Sequence, residues 1–278
     1  MEIEILFLFF YAYILLVINV NFKVGDYVTR ISHNHDVVFR IINISNNIVY
    51  LNGVNVRLCA DSNMEDLVIV SDRDNEDDEI IQRSLSSINM DRNNYFYLPG
   101  KILHIDGDDI YLDRCMKLYE SLGIKANGIT LNESDISSKI IDLVKEFRPD
   151  IIVITGHDAF YSKKKDKDDV NNYQNTANFI SAIKEVRKYE KNQDKLIIIA
   201  GACQSNYEEL IKAGANFASS PKRINIHALD PAIVASSIAF SDKNHSINLI
   251  DILEKTKYGS DGIGGIITNG TMYVGYPR

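Results

Sequence analysis

His157 and Cys203 are the two residues whose types and settings could do covalent chemistry, and they lie 46 positions apart. His157 ends the run Ile151-Ile152-Val153-Ile154-Thr155-Gly156 and is followed by Asp158; Cys203 ends Leu196-Ile197-Ile198-Ile199-Ala200-Gly201-Ala202 and is followed by Gln204-Ser205. An apolar run that empties through glycine into polar residues reads as a buried parallel strand, and open α/β sheets place their ligands where such strands end. Brought to one sheet edge, a thiol and an imidazole form a nucleophile and its base. Gly201, Ala202 and Ser205 around the thiol allow a sharp turn from strand to helix. Such a turn sets the sulfur near helix N-terminal amides, which lower a thiol pKa and bind an oxyanion. The backbone amides of Cys203 and Gly156 are the candidate oxyanion donors. The bland alternative is a buried structural cysteine, and that is the expected role of Cys59, in a strand pattern, and Cys115, on an apolar helix face. A histidine directly after a buried strand has less reason to be there for packing alone.

Other polar residues surround this pair. Asp106, Asp108 and Asp109 end an earlier strand and could bind a cation or orient His157, although an Asp-Gly turn explains them equally well. The polar segment 219–231 could line a substrate pocket, with Ser219 in it, Asp230 as an acidic determinant and His227 as a rival base. Gln204 and Asp158 are further candidate substrate-binding residues, and Asp158 could instead orient the ring. The run Lys163-Lys164-Lys165-Asp166-Lys167-Asp168-Asp169 reads as a solvated loop.

The elements that must position the pair follow from periodicity. Residues 22–71 alternate apolar and polar in short β-branched runs, 24–31, 37–42, 48–51 and 54–58, separated by Asn, Gly and His-Asn turns, which reads as a small all-β, SH3-like domain. Residues 72–98 form a charge-rich polar linker with room for a short helix. From Pro99-Gly100 onward strands and helices alternate: strand 101–105, helix 110–122, strand 126–131, helix 134–147, the strand before His157, helix 175–189, the strand before Cys203, helix 207–213 and strand 215–219. This pattern predicts an α/β domain over 99–278, a mostly parallel sheet with helices on both faces, caspase-like or doubly wound.

The formal net charge of −8 over 278 residues excludes general nucleic-acid binding, because no basic surplus is available to neutralise phosphates. Three cysteines without a CxxC spacing suggest neither a disulfide framework nor a zinc site, and point to a reducing compartment. No cofactor or metal is called for. The apolar stretch 5–18, within an N-terminal extension of 1–21, is shorter than the roughly 20 residues of a spanning helix. It reads as a weak membrane anchor or as a product of an upstream start codon, and membrane contact is expected through 1–21 alone.

Several motifs together resemble one family. Val24-Gly25-Asp26, Pro99-Gly100-Lys101-Ile102-Leu103-His104-Ile105-Asp106-Gly107-Asp108, Thr155-Gly156-His157-Asp158-Ala159, Gly201-Ala202-Cys203-Gln204-Ser205, 213–221 and 225–231 look like the YabG sporulation proteases of spore-forming bacteria, over residues 22–278. The resemblance implies a cysteine peptidase that processes spore coat and cortex-associated proteins, cleaves after basic residues, and works in the sporulating cell and the developing spore. His157 and Cys203 fall on the positions of that family's proposed dyad, and Asp158 or Asp230 would supply an acidic pocket. The N-terminal extension departs from the family pattern. A looser resemblance is to caspase and clostripain-like peptidases, where a strand precedes each dyad residue and the histidine-to-cysteine spacing is roughly 50 residues. There Ala202-Cys203 fits and the usual His-Gly order does not. The rival from another class is a non-catalytic binding scaffold for spore-coat assembly.

Overall fold

The computed structural model describes residues 21–70, 76–88, 90, 93–161 and 166–277; the apolar stretch 5–18 and Lys163 to Lys165 lie outside these residues. The chain divides into two compact units, Met1–Val54 with Cys59–Arg73, and Asn55–Leu58 with Asp74–Arg278.

The first unit is a five-stranded antiparallel sheet of β1 (Tyr27–Arg30), β2 (Phe39–Ser45), β3 (Ile48–Gly53), β4 (Cys59–Asn63) and β5 (Leu67–Ile69), in the order β4-β3-β2-β1-β5. Alternation decides its faces: Phe39, Ile41, Val49 and Leu51 are buried while Arg40, Ile42, Ile48 and Tyr50 are exposed. Asn46 takes a left-handed φ of 56° in the two-residue turn between β2 and β3, a conformation asparagine tolerates. Two expectations change here. Cys59 is exposed rather than part of a core, because it begins an edge strand. Residues 55–58, which read as a strand of this unit, belong to the other one.

The second unit begins, in the stretch expected to be a polar linker, with α1 (Glu76–Ser86) and β6 (Phe96–Leu98). A bidentate pair from Arg114 Nε and Nη2 to Asp77, 2.7 Å each, ties α1 down. Then come β7 (Ile102–Asp106), α2 (Asp109–Ser121), β8 (Ala126–Thr130), α3 (Glu133–Phe147), β9 (Ile151–Thr155), α4 (Thr176–Tyr189), β10 (Ile197–Ala200), α5 (Tyr207–Ala213) and β11 (Phe217–Ser219). These match the periodicities of the sequence to within two residues at nearly every end. Beyond them lie α6 (Asp230–Ala239), α7 (Leu249–Leu253), β12 (Ile263–Gly265) and β13 (Tyr273–Gly275), and β13 pairs with β6.

The main sheet has the order β12-β11-β10-β9-β7-β8, parallel except for β12. The strands are buried on both sides, so each reads as a continuous apolar run. Odd-numbered Ile151, Val153, Ile197 and Ile199 pack with Cys115 and Leu118 of α2 and with α6. Even-numbered Ile152, Ile154 and Ile198 pack with Ile136 and Ile140 of α3, and Phe179 and Ile183 of α4. The chain winds outward from β7 to β8 on one side and from β9 to β11 on the other, so the switch point lies between β7 and β9. That is where a doubly wound sheet opens a crevice beyond its strand ends. Among the described residues, no helix is long and apolar enough to cross a membrane.

Candidate active site

The loops after β7, β9 and β10 meet at this crevice. β9 and β10 are adjacent, with Ile154 opposite Ala200, so His157 and Cys203 both follow the same sheet edge on neighbouring strands.

His157 is held from two sides. Its backbone N–H donates to Glu133 Oε1 at 2.8 Å, and its ring Nε2 lies 2.9 Å from Asp108 Oδ2. That bond spans the switch point. Gly107 and Gly156 let the Glu133 carboxylate come this close, because a Cβ at either position would overlap it. Asp108 is fixed in turn, since its Oδ1 accepts the backbone N–H groups of Ile110 and Tyr111 and caps α2. With the proton on Nε2 facing the carboxylate, Nδ1 becomes the basic nitrogen of the ring. The Tyr111 ring packs edge-on against the imidazole, with centroids 5.8 Å apart. Of the three aspartates noted in the sequence, Asp108 is the one that orients His157.

Cys203 sits in a tight turn. Gly201 adopts a left-handed φ of 103°, Gln204 one of 58°, and Ser205 Oγ accepts the Ala202 N–H at 2.9 Å. The thiol itself is fully buried. Its sulfur accepts the Ile226 N–H at 3.3 Å and donates weakly to the Ile226 carbonyl at 4.0 Å. Helix α5 starts four residues later and is capped by Asn206, so the amide on the sulfur comes from Ile226 and not from the helix start that the sequence suggested. Burial pushes the thiol up to about 12, against the Ile226 hydrogen bond and the Arg57 guanidinium, which lower it. As arranged, the thiol is protonated and bonded to Ile226, while the ring is bonded to Asp108.

The acidic candidates differ sharply. Asp158 is buried and spends both oxygens: Thr176 and Ser205 hydroxyls on Oδ2, the Ala159 and Asn175 N–H groups on Oδ1. It therefore ties the His157 loop, the start of α4 and the Cys203 turn together. Its pKa is raised by burial, with those four hydrogen bonds opposing. Asp230 accepts the His227 and Lys257 N–H groups, and burial pushes it up to about 7. It begins α6, an element that the polar look of 219–231 concealed. His227 is buried, with Nε2 3.3 Å from Glu76 Oε2, and burial takes it down to about 4. Gln204 reaches Asn225 at 3.2 Å and accepts the Phe160 N–H at 3.3 Å, and buried Ser219 donates to the Gly201 carbonyl at 3.2 Å.

A further acid, which the sequence offered only for cation binding or orienting His157, sits beneath these loops. Asp106, at the end of β7, is fully buried and pairs with the equally buried Arg57 at 2.5 Å. Burial alone would raise its carboxyl, yet Arg57, His104 and Thr155 hold it well below the usual carboxylate range.

The sequence matches the model of the YabG peptidase U57 family over residues 23–90 and 73–277. It is 40% identical over 288 residues to the sporulation-specific protease YabG of Bacillus subtilis (strain 168), covering 92% of this chain and 98% of that protein. Among solved structures, a novel cobalamin-binding protein from Desulfitobacterium hafniense DCB-2 is similar over 48% of this chain and 55% of that one, at 20% identity and a TM-score of 0.31. A likeness that loose carries no argument.

The raised carboxyl of Asp230 has a consequence for stability. The folded state holds its proton up to about pH 7, whereas an unfolded carboxylate releases it near its ordinary 3.8. The stabilisation is complete below that lower value and is lost as pH rises through about 7. In urea titrations, the stability of Asp230→Asn minus that of wild type should therefore rise from pH 4 to pH 8. A flat difference would show that Asp230 titrates normally.

Proposed function

The chain belongs to the YabG peptidase U57 family, and from that premise we propose that this sporulation protease is a cysteine endopeptidase with Cys203 as nucleophile and His157 as its base. The observation that carries this reading is the placement of the two residues after adjacent parallel strands, with the imidazole already oriented by a carboxylate. Family membership also favours an enzyme over the non-catalytic scaffold that the sequence allowed. The larger unit, Asn55–Leu58 with Asp74–Arg278, carries the peptidase domain expected over 99–278, and the small β unit is a partner or substrate-binding module in this reading.

The chemistry follows. His157 Nδ1 takes the thiol proton, and the thiolate attacks the scissile carbonyl carbon. The tetrahedral oxyanion is received by backbone amides, those of Cys203 and Gly156 being the candidates. His157 then gives its proton to the leaving amine, and water attacks the thioester to release the acid and restore the thiol. Asp108 keeps the ring in the tautomer that these steps need and stabilises the imidazolium. Because the thiol is buried and protonated as arranged, attack requires that the sulfur first leave Ile226. The substrates are spore coat and cortex-associated proteins cleaved after basic residues, which places the enzyme with the developing coat. Gln204, Ser219, Asp158 and Asp230 line or support the substrate side.

Incubation with a coat-protein substrate tests the dyad: Cys203→Ala and His157→Ala should each lower turnover by about 10³-fold or more. Equal processing by wild type and both variants would refute it. Asparagine caps a helix as well as aspartate does, so Asp108→Asn should leave the urea midpoint unchanged. It should lower kcat by about 10-fold or more, with little effect on KM. A loss of stability with kcat retained would make Asp108 a helix cap alone.

A further inference from the structure

The backbone beside the Cys203 sulfur includes that of a charged residue, Arg57. Residues 55–58 belong to the peptidase unit, where they lie antiparallel to 226–228: Val56 bridges His227, the Arg57 N–H donates to the Ile226 carbonyl at 3.3 Å, and the Ala228 N–H donates to the Asn55 carbonyl at 3.0 Å. Antiparallel backbone pairing of an extended segment is how peptides commonly enter protein clefts. Ile226 is also the residue whose N–H holds the Cys203 sulfur, and the Arg57 backbone itself is a hydrogen-bonding neighbour of that thiol. The backbone of Arg57 therefore runs beside the nucleophile.

The Arg57 side chain fills a closed receptor. Its Nη1 meets Asp106 Oδ2 at 2.5 Å, Nε donates to the Ala228 carbonyl at 3.2 Å, and Nη2 contacts the Cys115 sulfur at 3.6 Å. The Tyr111 ring forms one wall, 5.1 Å from the guanidinium carbon, and the same ring also contacts His157. The carboxylate is prepared for a cation by more than Arg57. Thr155 Oγ1 donates to Asp106 Oδ2 at 2.7 Å, the Asp108 N–H donates to Oδ1 at 3.0 Å, and His104 bonds Thr155 from behind at 2.9 Å. Donors to both oxygens hold the carboxylate in place, and a carboxylate so held in a buried pocket selects a cationic, planar group.

We propose that the Asp106 pocket receives the basic side chain on the acyl side of the cleaved bond, and that Arg57 occupies it in cis as an internal pseudo-substrate. This rests on the cysteine-peptidase reading and assigns its specificity to Asp106 in place of Asp158, whose oxygens are all engaged, and Asp230, which both neighbouring backbone amides cover. Asp106 acts here as a specificity residue, touching substrate and not the reacting atoms. In this arrangement the resting enzyme is closed, and a substrate arginine must displace residue 57 before the thiol is reached.

The test uses the full chain and a pair of fluorogenic peptides that differ only in arginine or its neutral isostere citrulline before the scissile bond. Wild type should prefer arginine by at least about 100-fold in kcat/KM. Asp106→Asn should bring that ratio to within about 10-fold of unity while still cleaving the citrulline peptide, and Asp106→Glu, which keeps the charge, should retain the preference with a higher KM. Arg57→Ala should lower the KM for the arginine peptide, since an internal competitor is gone. Independently of catalysis, benzamidine should raise the melting temperature of Arg57→Ala, and should do so for neither wild type nor the Arg57→Ala/Asp106→Asn double variant. A folded Asp106→Asn that keeps the arginine preference, or an Arg57→Ala that benzamidine fails to stabilise, overturns the proposal. If benzamidine stabilises Arg57→Ala but no protein cleaves either peptide, the pocket stands and the peptidase chemistry falls.

Discussion

A guanidinium and a carboxylate, both out of contact with solvent, set the arrangement on which the site depends. Burying two charges costs several kcal/mol each, and the cost is met only when geometry and further hydrogen bonds are good. Arg57 and Asp106 meet that condition through Thr155, Ala228 and the Asp108 N–H. Removing one partner of such a pair typically costs about 3–5 kcal/mol, because the other charge is left stranded. The pair therefore holds the loop after β7, the 226–228 segment and the 55–58 segment in place. Through Asp108 the same loop reaches His157, and through Ile226 the 226–228 segment reaches Cys203.

The sheet supplies the frame for that arrangement. Its winding reverses between β7 and β9, so the loops bearing Asp108 and His157 part around a crevice, and Cys203 follows the adjacent strand β10. Glycines 107 and 156 then admit one carboxylate, Glu133, between the two loops. Asp158 performs the matching task on the other side by bonding Ser205 in the cysteine turn and Thr176 at the start of α4. Glu133 and Asp158 thus act as ties, and Asp108 orients the His157 ring. Burial also lifts the Cys203 thiol to about 12, which keeps it protonated as arranged.

Much of this was legible in the sequence, and the gaps have physical causes. Strands β9 and β10 announced themselves as unbroken apolar runs with His157 and Cys203 at their ends, and α2 to α5 showed the helical period because each has one wet face. Helix α6 has none. Its residues are buried on nearly every side, so no 3.6-residue pattern appears, and its Asp-Pro start looks like a turn. The partner of Asp106 was equally hidden. Arg57 lies 49 residues earlier in a segment whose alternation reads as one more β strand, and nothing local marks it as leaving that sheet. The same blindness applies to Ile226 on the sulfur, a backbone contact across 23 residues that side-chain identity does not encode. Asp108 was visible as one of three aspartates, but its selection over Asp109 depends on which carboxylate the helix cap aims across the crevice.

The most direct test of the account is the structure of the enzyme trapped with a peptidyl-arginyl chloromethyl ketone, with the adduct mapped by mass spectrometry. Alkylation of Cys203 alone is expected, with the inhibitor's guanidinium against Asp106 and residues 55–58 displaced. An adduct on any other residue, or one on Cys203 that leaves Arg57 seated on Asp106, would contradict it.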